Sequence, residues 1–206
     1  MTKSQSGKDD NTALIVLLKN PKIGHAKTRL AAGIGDQGAY DAYLHLLGVN
    51  RQLCEQYDGP VYLYYSQYLP DESARWQMSN GTYRLQSDGD LGNRMQTAFT
   101  EVLSQHQRAM IIGSDCPYIT LEHLNQVGNL LEEEDVVYGP SLDGGYYLLG
   151  LSFVVEALFQ EMPWSTEQVL DISLAKCETN DLSVALLEPL EDIDEVDSWE
   201  RYQSNI

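Results

Sequence analysis

Short apolar runs alternate with longer amphipathic stretches along this chain, and this alternation constrains the fold more than any other feature. Ala13–Leu18, Val61–Tyr65 and Ala109–Ile112 are strand-like runs. Intervening stretches such as Leu91–Gln105 carry apolar residues at helical spacing. Strands separated by helices are typical of a mostly parallel sheet with helices on both faces. The sequence therefore predicts an α/β fold.

The same pattern predicts the remaining elements and a single domain over residues 12–206. The further predicted strands are Tyr83–Gln86, Val136–Tyr138, Tyr146–Leu151 and Val184–Leu187. The further predicted helices are Ala39–Tyr57, a short one from Pro70 to about Gly81, Thr120–Leu131, Phe153–Phe159, Ser165–Cys177 and a terminal one after Asp197. Residues 1–11 are polar, and we expect them to be a disordered tail.

The charge balance excludes several kinds of partner. The 206 residues include 13 Lys and Arg but 31 Asp and Glu, which gives a formal charge of −18. Nucleic-acid backbones and anionic membrane surfaces require broad basic patches, so we expect neither partner. No apolar stretch approaches a membrane span, and residues 1–11 lack the apolar core of a signal peptide. Cys54, Cys116 and Cys177 are far apart without a CxxC pair, which argues against a disulfide framework or a zinc site. We therefore expect a cytoplasmic protein.

One cationic segment interrupts this acidic chain. Four of the 13 Lys and Arg residues lie between Lys19 and Arg29, directly after the first predicted strand. Lys supplies a point charge and Arg a two-pronged donor for phosphate oxygens, while Gly24 can turn backbone N–H groups inward. We expect Lys19, Gly24, Lys27, Thr28 and Arg29 to bind phosphate. The alternative is a solvated basic loop.

Asp115 follows the most apolar predicted strand. Ligands bind beyond the carboxyl ends of strands in open α/β sheets, and Mg²⁺ or Mn²⁺ there would be shared between a carboxylate and substrate phosphates. The alternative is that Asp115 only caps the turn with Pro117. A second carboxylate would complete the metal site. Asp194 and then Asp192, from the acidic run near the end of the chain, are the candidates.

The segment Asp143-Gly144-Gly145-Tyr146 is the second informative cluster. Its glycines allow a close approach to a ligand, and Asp143 can accept a hydrogen bond from a hydroxyl group or bind a cation. An Asp-Gly hairpin turn would use the same residues, so both interpretations stay open.

Two weaker signals flank this cluster. Asp90 is a plausible helix N-cap, and Arg94, one turn later, could bind a substrate anion or pair with Asp90. Trp164 precedes Ser165 and Thr166 at a predicted helix start. It is either part of a helix cap or the rim of an acceptor pocket.

Five motifs in order resemble one known family. They are Lys19-x-Pro21-x-x-Gly24-x-x-Lys27-Thr-Arg-Leu30, Gly89-Asp-Leu-Gly92-x-Arg94-Met95, Ile112-Gly-Ser-Asp115-Cys-Pro117, Gly139-Pro-x-x-Asp143-Gly-Gly-Tyr-Tyr147 and Trp164-Ser-Thr166. The sequence resembles the glycosyltransferase-A-like (GT-A) family of small bacterial proteins in the nucleotide-diphospho-sugar transferase superfamily, which also contains phospholactate guanylyltransferase. Asp192-Ile-Asp194 is similar to the closing Asp-Ile-Asp segment of nucleotidyltransferases in that superfamily.

The resemblance implies a Rossmann-like three-layer α/β/α fold, with a mostly parallel sheet and a small antiparallel part. It also implies a transferase that uses Mg²⁺ or Mn²⁺, a nucleotide or nucleotide-sugar donor and a small-molecule acceptor. Lys27, Asp115 and Asp143 would be catalytic. Lys19, Gly24, Lys27, Thr28, Arg29 and Arg94 would bind the nucleotide, Asp143, Gly144, Gly145, Tyr146 and Trp164 the acceptor, and Asp115 with Asp194 or Asp192 the metal. Glycosyl transfer is the first hypothesis. Nucleotidyl transfer with release of pyrophosphate is the alternative, and a non-catalytic nucleotide sensor is the third.

Overall fold

The structure, a computed structural model, describes residues 12–76 and 78–205, and the predicted tail at 1–11 lies outside these ranges. The described residues form seven strands and five α-helices. In chain order these are β1 (Ala13–Leu18), α1 (Thr28–Gln56), β2 (Val61–Tyr65), β3 (Gly81–Leu85), α2 (Leu91–Leu103), β4 (Ala109–Ile112), α3 (Leu121–Leu130), β5 (Val136–Pro140), β6 (Tyr146–Leu151), α4 (Val169–Thr179), β7 (Val184–Leu186) and α5 (Val196–Gln203).

The strands form one sheet in the order β3-β2-β1-β4-β6-β5-β7. β6 is antiparallel to both neighbours, and the other pairs are parallel. The carboxyl ends of the six parallel strands therefore lie at one edge of the sheet, which we call the functional edge. The β5–β6 turn reaches the same edge. This arrangement confirms the predicted α/β fold and its small antiparallel part.

Both faces of the sheet are covered. In β1, Leu14 and Val16 point into one apolar cluster, to which α1 and α3 contribute Leu53 and Val127. Alternate residues such as Ile15 point into a second cluster with residues of α2 and α4. Burial on both faces explains why these strands have no polar alternation. The three-layer α/β/α prediction is confirmed.

Four predicted helices differ from the observed ones. Among the described residues, the segments predicted at Pro70–Gly81 and Phe153–Phe159 contain only the single 3₁₀ turns Glu72–Ala74 and Glu156–Leu158. The helix predicted at Ser165–Cys177 begins at Val169 and ends at Thr179. Residues 71–74 are all exposed, so a helix there would have no buried face to stabilise it. Helix α1 begins earlier than predicted, at Thr28, and it is broken at Gly35, whose φ is +78°.

Two helical glycines provide a test of this packing. A methyl group at Gly48 in α1 would contact nothing within 4 Å. At Gly92 in α2 it would overlap the carbonyl oxygen of Phe159 and lie 2.8 Å from the ring of Trp164. We expect Gly48→Ala to raise the free energy of unfolding by up to about 1 kcal/mol, and Gly92→Ala to lower it by about 1–3 kcal/mol. Urea denaturation measures both, and equal effects would contradict the packing of α2.

Candidate functional site

The basic loop between β1 and α1 is held in place by polar contacts at its start. The Lys19 N–H donates to Tyr43 Oη at 3.0 Å, and that hydroxyl donates back to the Lys19 carbonyl at 2.9 Å. The buried side chain of Asn20 accepts from the Gln67 N–H at 2.9 Å and donates to the Tyr68 carbonyl at 2.9 Å. The backbone of the loop therefore has a defined position at the functional edge.

The lysine side chains of this loop fall into two groups. Lys19 and Lys22 are exposed, and within the described ranges neither has a carboxylate partner. Two unpaired cations in so acidic a chain are available to an anionic ligand. Between them and α1 the loop turns at Gly24, whose φ of +76° suits glycine.

Lys27 differs from the other lysines, because its side chain is only 3% exposed. Its Nζ lies 2.8 Å from Asp115 Oδ1 and 3.8 Å from Asp194 Oδ1. It also donates to the Ile193 carbonyl at 2.5 Å. The ammonium thus joins the basic loop, the loop after β4 and the segment before α5. Two acceptors lie within hydrogen-bond distance of this three-proton donor, and the predicted contact of Lys27 with phosphate stays a prediction.

Asp115 retains a free coordination position. Its Oδ1 faces Lys27, whereas its Oδ2 has no hydrogen-bond partner among the residues that the structure describes, and the side chain is 41% exposed. Its backbone carbonyl accepts from the Ile193 N–H at 2.9 Å. The carboxylate is therefore fixed on one side and accessible on the other.

The two candidates for a second metal ligand have different surroundings. Asp194 is engaged by cations, since Arg29 Nη1 lies 3.0 Å from its Oδ2 and Lys27 contacts its Oδ1. Asp192 instead accepts a hydrogen bond from Ser141 Oγ at 3.1 Å. Burial, followed by the nearby charges of Asp115 and Asp143, raises the pKa of Asp192 to about 6, against the lowering effects of Ser141 and Lys27. The geometry therefore favours Asp192 over Asp194.

The chemistry of this donor set suits a hard divalent cation. Asp115 and Asp192 supply oxygen ligands. The raised pKa of Asp192 comes first from burial and then from the nearby charge of Asp115. Among the residues described, no three His, Cys, Asp or Glu side chains come together as a preformed metal cage. A cation held by these two carboxylates would take its other ligands from substrate phosphates and water.

The Asp143 segment forms a hairpin turn between β5 and β6. The Gly144 N–H donates to the Ser141 carbonyl at 3.1 Å, and the Gly145 N–H donates to Asp143 Oδ1 at 3.0 Å. Gly144 has a φ of +85°, and a side chain there would overlap the backbone of Glu167. The hairpin interpretation is correct, and the turn still exposes Asp143 at the functional edge.

Several predicted site residues lie outside the cleft beside the basic loop. This cleft of about 200 Å³ is lined by Lys19, His25, Ala26, Lys27, Thr28, Arg29, Tyr43, Asp115 and Asp194. The predicted site residues that do not line it are Gly24, Arg94, Asp143, Gly144, Gly145, Tyr146, Trp164 and Asp192. The Tyr146 hydroxyl points to Met95 Sδ at 3.9 Å, and burial raises its pKa. Arg94 Nε and Trp164 Nε1 are buried without a hydrogen-bond partner near the start of α2.

Sequence reasoning missed the residues that position the site. Tyr43 holds the basic loop, Ser141 holds Asp192, and the backbone of Ile193 contacts both Lys27 and Asp115. Tyr43 is distant in sequence from the loops that it contacts, and Ser141 carries no charge. The sequence pattern therefore gives no signal for either residue. Asp90 is an N-cap as predicted, since its Oδ1 accepts from the Asn93 N–H at 2.9 Å.

Removal of the buried ammonium tests the role of Lys27. Lys27→Met leaves Asp115 and the Ile193 carbonyl without their partner, and we expect the free energy of unfolding to fall by about 1–3 kcal/mol, because Asp115 retains solvent contact. Lys22→Met removes an exposed, unpaired lysine and should change it by less than about 0.5 kcal/mol. Urea denaturation without metal measures both. Equal small effects would show that Lys27 does not hold the three segments together.

The raised pKa of Asp192 predicts a pH dependence of stability. The folded state holds the proton more tightly than the unfolded state, whose pKa is near 3.8, so ionisation between about pH 4 and 6 destabilises the fold. We expect the stability advantage of Asp192→Asn over the wild type to grow by about 1–2 kcal/mol as pH rises through this range, in the presence of a chelator. Asp171→Asn, an exposed control, should show no such growth. A flat difference for Asp192→Asn would contradict the burial of this carboxylate.

Solved structures share this fold. A provisionally named nucleotide-diphospho-sugar transferase from Desulfovibrio desulfuricans superimposes with a TM-score of 0.86 and 27% identity, over 94% of this chain and 87% of that one. A manganese complex of Rv0371c from Mycobacterium tuberculosis superimposes with a TM-score of 0.57 and 14% identity, over 95% and 100%. CMP:2-keto-3-deoxy-manno-octonic acid synthetase with CTP gives 0.59 and 10%, over 95% and 98%.

These likenesses agree with the predicted superfamily and with the prediction of a transferase. No curated protein matches the sequence significantly. Within the described ranges, no helix is both long and apolar enough to cross a membrane. A family model does match residues 49–166, more than half of the chain, and its description is "Uncharacterized protein conserved in bacteria (DUF2064)". The chain therefore belongs to the DUF2064 family.

Proposed function

We propose that this protein is a metal-dependent transferase that uses a nucleotide-activated donor. One observation carries the proposal. The exposed cations Lys19 and Lys22, which have no carboxylate partner among the described residues, lie on the loop after β1. The partly free carboxylates Asp115 and Asp192 lie at the same edge of the sheet. A diphosphate with a bound divalent cation has the complementary charge pattern, because its oxygens face the lysines and its cation faces the carboxylates.

Each residue of the edge has a role in this proposal. Lys19, Thr28, Arg29 and the backbone at Gly24 bind the donor phosphates. Lys27 fixes Asp115 so that Oδ2 faces the ligand, and Asp115 with Asp192 holds Mg²⁺ or Mn²⁺. When bound, the cation would neutralise the charge that develops on the leaving phosphate.

The acceptor is proposed to bind beside the β5–β6 turn. Asp143 is exposed there and can accept the proton of an acceptor hydroxyl group, while Gly144 and Gly145 allow a close approach. Trp164 packs against Gly92 of α2, and Glu167, three residues later, packs on Gly144. Arg94, near the start of α2, is partly exposed and is proposed to bind an anionic group of either substrate. Tyr146 contributes packing from the core side.

Glycosyl transfer is the first form of the proposal. In that reaction the bond from the anomeric carbon to the diphosphate breaks, the acceptor oxygen bonds to that carbon, and a nucleoside diphosphate leaves. The support is the 27% identical relative that is named as a nucleotide-diphospho-sugar transferase.

Nucleotidyl transfer is the second candidate, and one feature favours it. Sugar-nucleotide glycosyltransferases that this chain resembles typically carry an Asp-x-Asp pair after the metal-binding strand. Here the corresponding residues are Gly113, the buried Ser114 and Asp115, so this strand end carries a single carboxylate. In this reaction an acceptor phosphate oxygen attacks the α-phosphorus of a nucleoside triphosphate, and pyrophosphate leaves.

Product analysis tests the proposal and separates its two forms. Purified protein is incubated with Mg²⁺ or Mn²⁺, panels of nucleoside triphosphates and nucleotide sugars, and a mixture of small hydroxyl and phosphate acceptors, and ³¹P NMR follows the products. A nucleoside diphosphate indicates glycosyl transfer, and pyrophosphate indicates nucleotidyl transfer. We expect Asp115→Asn to lower turnover at least about 100-fold, and the exposed control Asp171→Asn to lower it less than about twofold.

The same variant separates an enzyme from a sensor. A non-catalytic nucleotide sensor would bind nucleotide equally well with Asp115→Asn and would form no product. Wild-type turnover that survives in Asp115→Asn would instead show that the metal site is assigned to the wrong carboxylate.

A further inference from the structure

The hydroxyl group of Tyr43 lies where two loops of the site meet. Tyr43 is on α1 and is 1% exposed. Its Oη contacts the N–H and the carbonyl of Lys19 at 3.0 and 2.9 Å, in the basic loop between β1 and α1. It also lies 3.4 Å from the buried Ser114 Oγ, in the loop that carries Asp115. One phenol thus contacts the loop proposed for phosphate and the loop proposed for metal.

Hydrogen-bond counting fixes the direction of these contacts. A phenol has one proton, and the carbonyl of Lys19 takes it. The Ser114 hydroxyl must therefore donate, either to Tyr43 Oη or to Asp115 Oδ1, which lies at 3.5 Å. Because burial raises the pKa of Tyr43, the phenol stays neutral across the physiological range and cannot act as a base. Its available role is structural alignment.

Helix α1 makes a second contact with the loop that carries Asp115, from the same face of the helix as Tyr43. Asn50 Nδ2 donates to the Leu46 carbonyl at 2.9 Å and to the Ser114 carbonyl at 3.3 Å. Asn50 holds the backbone of the loop that carries Asp115, but it does not contact the basic loop. Tyr43 is therefore a contact, beside the ion pair of Lys27 with Asp115, through which a shift in one loop reaches the other.

We propose that Tyr43 is a positioning residue that couples phosphate binding at the Lys19 loop to cation binding at Asp115. This inference rests on the proposed function. A nucleotide that orders the Lys19 loop would also hold Ser114 and Asp115 in the orientation that accepts the cation. By linkage, a cation at Asp115 would raise the affinity of the Lys19 loop for the nucleotide by the same factor.

Tyr57 provides a matched control, as the residue that caps the C-terminal end of the same helix. Its buried hydroxyl donates to the Thr12 carbonyl at 2.6 Å, at the opposite edge of the sheet. Tyr57→Phe removes one buried hydroxyl, as Tyr43→Phe does, but at a distance from the site. Any general loss of stability that follows from removing a buried phenol hydroxyl therefore appears in both variants.

The first measurement needs no ligand. Hydrogen–deuterium exchange is followed in the wild type, Tyr43→Phe and Tyr57→Phe. We expect Tyr43→Phe to speed exchange at least about fivefold in peptides that cover residues 19–27 and 113–116, because the Lys19 amide loses its acceptor. Tyr57→Phe should leave both peptides within about twofold of the wild type. Acceleration in neither peptide, or in the 19–27 peptide alone, would overturn the proposal.

The second measurement uses titration calorimetry with CTP, GTP and UDP-glucose as probes, with and without Mn²⁺. We expect Mn²⁺ to raise the affinity of the wild type for the bound probe by about tenfold, within the usual range of coupling. In Tyr43→Phe this factor should fall below about twofold, and in Tyr57→Phe it should persist. Full coupling in Tyr43→Phe, or none in the wild type, would overturn the inference but leave the proposed function standing. A wild type that binds neither nucleotide nor Mn²⁺ would overturn the proposed function together with the coupling.

Discussion

The buried ammonium of Lys27 is the interaction on which the rest of the site depends. It contacts Asp115, Asp194 and the Ile193 carbonyl, and these belong to the loop after β4 and to the segment that enters α5. Desolvation of a lysine is costly unless several acceptors surround it, and here they do. The residues that follow β7 are thereby held across the functional edge, and Asp192 reaches the neighbourhood of Asp115.

Charge is distributed unevenly around the Lys27 ammonium. The chain as a whole repels anions, yet Lys19 and Lys22 have no carboxylate partner among the described residues. Salt screens the distant carboxylates over about 8 Å, so short-range bonds to a phosphate would outweigh the long-range repulsion. Burial, followed by the charge of Asp115, raises the pKa of Asp192 at the same edge. A diphosphate with its cation satisfies both features together.

The sequence was sufficient to predict the sheet and to predict that the motifs lie at one edge of it. It was insufficient to predict the contacts among the side chains of these motifs. Strands such as Ala109–Ile112 were predictable because burial on both faces leaves a continuous apolar run. The position of Asp115 at the functional edge was predictable because it follows a strand, while its role as a metal ligand stays a prediction. That Lys27 is buried was not, since a lysine in a basic loop looks the same whether it meets solvent or an internal carboxylate. Tyr43 acts at 24 and 71 residues from its partners, and no local pattern records such contacts.

Crystals soaked with Mn²⁺ and a bound nucleotide donor would test the central claim most directly, by anomalous diffraction at the manganese edge. The account predicts one strong anomalous peak within coordination distance of Asp115 Oδ2 and an Asp192 oxygen, with the donor phosphates between it and Lys19. A peak at Asp194 alone, or phosphates bound away from the loop after β1, would contradict it.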